Sequence, residues 1–186
     1  VTSNNSDDEA TLRYELETFV CEGEYHQGLA RILQGYLDAL GKEQRAAWVS
    51  GFYGSGKSHM VKVLRYLWVD HKFADGNSAR TLVGLPNDVR ELLVELTTRS
   101  KQGAGLHAAG GTLKSGVGDV RMRVLGIVLK SVGLPEKLSI ARLMMDLRDE
   151  GKLDEVKKAI TKAGKNPDEE FDRMYTSKVF QQAYLA

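Results

Sequence analysis

Cysteine is nearly absent from this sequence. Cys21 stands alone among 186 residues, which excludes an internal disulfide, and no Cys/His group has the spacing of a zinc site. A reducing compartment suits such a chain. Long apolar runs are missing too: none approaches the ~18 residues that mark a membrane span, and residues 1–9 are polar and acidic rather than signal-like. The chain is therefore expected in the cytoplasm. Charge of one sign is also lacking, because 26 Lys and Arg face 25 Asp and Glu for a net charge of +1. That balance excludes the strong positive field of a dedicated nucleic-acid binder, while leaving a local basic patch and direct nucleic-acid contact open.

What is present is ordinary globular material, with 42% hydrophobic residues in a chain long enough to bury a real core. Residues 1–11 read as a disordered tail, and residues 12–186 as a domain with a nucleotide-binding core over about 26–132 and a helical part over about 133–186. Leu29, Ile32, Leu33, Tyr36, Leu37 and Leu40 recur at helical spacing before Gly41, predicting a helix over 26–40. Residues 46–50, Ala-Ala-Trp-Val-Ser, suit a buried parallel strand. Residues 57–69 read as the helix that follows, with Met60, Leu64, Leu67 and Trp68 inward.

Further along, Pro86 is expected as the first residue of a helix carrying Val89, Leu92, Leu93 and Leu96, and a short central strand fits 106–109. From Asp119 onward the signals are helical. Asp119 and Ser139 open helices, Gly133, Gly151 and Gly164 close them, and Asn166-Pro167 opens another. These elements predict an α/β fold: a parallel sheet flanked by helices, with a mostly helical C-terminal part packed against it as one unit. The sequence stops within an apolar-periodic segment, so a piece of a longer chain is expected, with Val179, Phe180 and Tyr184 leaving apolar surface.

The strongest chemical signal is Gly51-Phe52-Tyr53-Gly54-Ser55-Gly56-Lys57-Ser58, which matches the phosphate-binding pattern G-x-x-x-x-G-K-[ST]. Consecutive backbone N–H groups must converge on phosphate oxygens, and glycine lets the chain curl tightly enough around an anion. The helix beginning near Lys57 adds its N-terminal dipole. The Lys57 ammonium is placed to reach the β- and γ-phosphates, which makes it the candidate catalytic residue as well as a binding one. The Ser58 hydroxyl is placed to ligate magnesium. The expected ligand is ATP with Mg2+, held by residues 51–58 and approached by His59, for which packing on the first helical turn is the competing role.

Hydrolysis needs more: an acidic residue ending a second buried strand to hold magnesium, and a group to position water. Asp70 and Asp146 end apolar runs, yet both runs have helical periods and neither supplies that strand. His107 reads more readily as a buried, hydrogen-bonded histidine than as a γ-phosphate contact. Tyr25 could pass over the base or staple to Leu29. Cys21 reads as a small core residue.

Several blocks together resemble a known family, the P-loop ATPase BrxC of BREX bacteriophage-defence systems and its relative PglY of phage growth limitation. They are Phe19-Val20-Cys21-Glu22-Gly23-Glu24-Tyr25, residues 48–59 around the loop, residues 82–90, residues 105–113 and residues 125–135, which include Leu134-Pro135. The resemblance implies an N-terminal portion of an AAA-like ATPase module. It further implies a large bacterial ATPase working with other phage-defence proteins, as an oligomer or otherwise. Two other classes use the same loop: a small-molecule kinase, which should show a lid and substrate-binding arginines, and a non-hydrolysing, ATP-gated interaction module.

Overall fold

In the computed structural model, residues 5–44, 46–113 and 119–185 are described. Along them, apolar positions spaced three and four apart fold into helices. The chain divides into two compact units, residues 1–109 and 110–186, so the helix after Asp119 groups with those that follow it. Among the described residues no helix is long and apolar enough to cross a membrane.

The first unit contains α1 (Asn5–Glu17), α2 (Gly23–Asp38), α3 (Lys57–Val69), α4 (Ala79–Leu82) and α5 (Asn87–Ser100). Helix α2 buries Leu29, Leu33 and Leu37 and lies against α5, which buries Val89, Leu93 and Leu96. Helix α3 adds Met60, Val63 and Leu67 to the same core. Each fully buried Leu or Val contributes about 1.5–3 kcal/mol relative to exposure, so this interleaving holds the three helices together. Helix α1 runs through residues 5–11, read from composition as tail, and its Leu12 and Leu16 are buried in this core. Residues 1–4 lie outside the described residues.

The expected α/β fold is overturned. Among the described residues there is no sheet, only isolated bridges between Val20 and Gly84 and between Lys72 and Ser78. Residues 46–50 run into the loop without a ladder, and Trp48 is 91% exposed rather than buried. Residues 106–109 are likewise unpaired. A strand exists through its neighbour's hydrogen bonds, and a five-residue apolar run does not carry its partner with it. His107, expected in the interior, is exposed.

Polar ties organise what the helices leave open. Arg80, half-buried, donates to the carbonyls of Leu67 (2.7 Å), Trp68 (3.0 Å) and Leu93 (3.0 Å) and to Thr97 Oγ1 (2.7 Å). It thereby adds a second donor to the Leu67 carbonyl, which also accepts from the Asp70 amide at 3.3 Å, supplies one to Trp68 in the last turn of α3, and links that end to α5. Asp70 ends α3 in the left-handed conformation (φ 47°). Partial burial pushes its carboxyl pKa up, but hydrogen bonds from Lys72, Ser78 and the Arg80 backbone outweigh that and leave it lowered.

The second unit contains α6 (Val120–Ser131), α7 (Leu138–Asp149), α8 (Leu153–Lys162), α9 (Pro167–Asp172) and α10 (Lys178–Leu185). Asp119 caps α6 by accepting from the Arg121 amide at 2.9 Å, and Asn166 caps α9 by accepting from the Asp168 amide at 3.0 Å. Two boundaries shift. Lys137, not Ser139, precedes α7, and Pro86 stands just before α5 with an extended ψ of 154°. Phe171 and Phe180 pack edge to face, centroids 5.0 Å apart. Phe180, expected to leave apolar surface, is buried, while Tyr184 is half-exposed.

Candidate nucleotide-binding site

The loop of residues 51–58 lies in the first unit and feeds directly into α3, whose first residue is Lys57. The first amides of a helix have no intrahelical acceptor, and here they follow two left-handed glycines, Gly54 (φ 79°) and Gly56 (φ 74°). Gly56 is required twice. Its φ disfavours any side chain, and a Cβ there would collide with the Tyr25 hydroxyl. A Cβ at Gly51 would stand 3.1 Å from Ser55 Oγ, a tight contact, whereas one at Gly54 would meet nothing.

Lys57 folds back over the loop. Its Nζ donates to the Phe52 carbonyl and, at 3.2 Å, to Ser55 Oγ. These are neutral acceptors, and a phosphate oxygen would add the attraction of an opposite charge to the ammonium. Ser58 is exposed on the first turn of α3, where its hydroxyl can reach a metal ion. Among the described residues no group of His, Cys, Asp and Glu could by itself hold a metal. Magnesium bound with a nucleotide takes most of its ligands from phosphates and water, so one hydroxyl fits that role. Phe52 and Tyr53 point into solvent, 90% and 106% exposed.

His59 turns away from the loop's acceptors to pack against Phe19, ring centroids 5.5 Å apart. Its geometry is that of a packing residue. Tyr25 packs against the core that contains Leu29 and has a further role that its position did not suggest. Its hydroxyl donates to the Ser55 carbonyl at 2.6 Å while its ring leans on Phe19 at 5.5 Å. The residue thus ties the start of α2 to the middle of the loop, across thirty positions that no local pattern connects. Cys21 is buried as expected, and burial, with a smaller contribution from Asp88, pushes its thiol pKa up.

Beside the loop lies a cleft of about 690 Å3, lined by Tyr25, Arg31, Trp48, Phe52, Ser55 and Lys57 among others. That size falls in the range of small-molecule sites. Arg31 and Trp48 went unmarked in the sequence, Arg31 because it sits on the polar side of an amphipathic helix and Trp48 because its apolar neighbours suggested burial. Of the two carboxylates set aside as magnesium ligands, Asp70 stands at the opposite end of α3 from the loop, and Asp146 belongs to α7 of the second unit. The site therefore offers an anion cradle, a cation over it and an aromatic-lined cleft. No protein-family model matches the chain, and no solved structure matches it significantly.

Proposed function

We propose that this chain binds a nucleoside triphosphate, ATP with magnesium, through residues 51–58. One observation carries the reading: a glycine loop tight at Gly51 and closed to a side chain at Gly56 runs into the N-terminus of α3 with Lys57 laid across it. Helix N-termini and convergent amides are favourable surroundings for phosphate. Lys57 reaches the phosphates, Ser58 supplies the metal with a hydroxyl, and the amides of residues 56–58 at the start of α3 orient the chain of phosphates. The Ser55 amide is held instead by the Phe52 carbonyl at 3.2 Å. The motif supports the reading through its loop and helix alone, since the strand expected before it does not form.

From the resemblance to the BREX ATPases we propose that this binding serves bacterial phage defence, in the cytoplasm, alongside other proteins of that system. Its support is the set of sequence blocks quoted above. Isothermal calorimetry with Mg-ATP tests the binding. Lys57→Ala removes a charge-assisted contact of roughly 1.5–3 kcal/mol, a tenfold to hundredfold loss of affinity. Unchanged affinity in that variant, or no heat of binding in the parent chain, would dismiss the loop as the site. Phosphate release by this chain is expected at the background rate, because the cleft offers Glu24 as its one carboxylate.

A further inference from the structure

We infer that the cleft beside the loop is a nucleobase subsite and that Trp48 is the platform on which the base stacks. This rests on the nucleotide reading above and extends it from the phosphates to the other end of the ligand. The cleft is continuous with the loop: its lining includes Gly51, Ser55 and Lys57 of the loop together with Trp48, Arg31 and Ile32. A triphosphate gripped at the loop hands its sugar and base into adjoining space, and about 690 Å3 is enough to take them.

The wall chemistry suits that occupant. Tyr25, Ile32 and Trp48 are aromatic or aliphatic, while Arg31 and Lys57 outweigh the single carboxylate of Glu24. A purely inorganic anion has no use for the apolar part, and an uncharged aromatic has no use for the two cations. A molecule with a flat π-system at one end and negative charge at the other uses both.

Trp48 itself is the sharpest sign. It is 91% exposed, and among the described residues its indole enters no ring contact. The other tryptophan, Trp68, is half-buried and meets Tyr36 edge-on at 4.5 Å. An indole held in water at the rim of a cationic cleft keeps a full face free for stacking, and base–indole stacking removes apolar surface from water on both partners. Such stacking tolerates any base, so the subsite selects nucleotides over bare phosphates rather than one base over another.

The test separates base from phosphate. The chain has two tryptophans, so Trp68→Phe leaves Trp48 as the sole indole reporter. Mg-ATP should quench Trp48 emission, and magnesium tripolyphosphate should leave it unchanged. By calorimetry, Trp48→Ala should lower ATP affinity about tenfold and leave tripolyphosphate affinity as it was, while Trp48→Phe keeps most of the ATP affinity. If Trp68→Phe does not fold, the emission difference between the parent chain and Trp48→Phe gives the same signal. Equal loss of both ligands in Trp48→Ala, or silent Trp48 emission with ATP bound, overturns the subsite and leaves the phosphate site standing. Binding of neither ligand to the parent chain removes both.

Discussion

Residues 1–109 and residues 110–186 are both helical, yet they keep their connections in order by different means. In the second unit the helices turn on local signals: Gly133, Gly151 and Gly164 take left-handed φ values of 76°, 73° and 72°, and Asp119 and Asn166 cap the helices that follow them. In the first unit the segments between helices are longer, and distant side chains secure them. Tyr25 reaches Ser55, Arg80 reaches the end of α3, and Arg13 pairs with Asp75 in the turn after it. The lesson is that the first unit's loops are positioned from outside themselves, which is the arrangement a binding loop needs.

The comparison can be broken most forcefully in the second core. Phe171 is 1% exposed and packs on Phe180, so Phe171→Ala should cost about 3–5 kcal/mol. Hydrogen exchange read by mass spectrometry should show protection falling across residues 120–185 and holding across residues 23–100. Equal loss in both would mean that the units unfold as one.

A smaller effect sharpens the account of the first unit. Tyr25→Phe deletes one hydroxyl that donates to Ser55 and keeps the ring on Phe19, at a cost of about 1 kcal/mol. ATP affinity should drop by up to about fivefold, with a melting temperature lower by a few degrees. If melting falls and affinity holds, Tyr25 serves packing instead of the loop.

The smallest effect is electrostatic. Hydrogen bonding from Arg13, helped by Asn77, pulls the Asp75 carboxyl from 3.8 down to about 2. A folded pKa below the unfolded one contributes stability above the unfolded value and loses it as pH falls through the folded value. The contribution therefore fades between about pH 4 and about pH 2. Urea midpoints across that range should slope less for Asp75→Asn than for the parent chain. Parallel slopes would leave the Arg13 tie without a role, a plausible fate for an exposed pair.

What could be read in the sequence follows the same division. Helix α3 shows its full extent in Lys57 to Val69, and the caps at Asp119 and Asn166 are visible because the residues that make a cap are neighbours in sequence. The sheet is illegible for the opposite reason: residues 46–50 have a strand's composition, but a strand is settled by what pairs with it, and among the described residues no segment does. The loop's glycines and Lys57 are legible as a motif. Tyr25's bond to Ser55, Arg31's place in the cleft and Trp48's exposure depend on which surfaces meet, and spacing within one element carries none of that.

The fork of Arg80 has a consequence for how the loop moves. It fastens the far end of α3, whose 13 residues make a rod about 20 Å long with the phosphate loop at its other tip. Met60, Val63 and Leu67 seat this rod in the core along its length, and Arg80 adds a polar hold at the end away from the loop. A tilt of roughly 3° at the Arg80 pin displaces the loop by about 1 Å over that length, enough to make or miss a hydrogen bond. The packing around Leu67 and Thr97 therefore bears on where the loop stands, although that packing and the loop lie at opposite ends of α3.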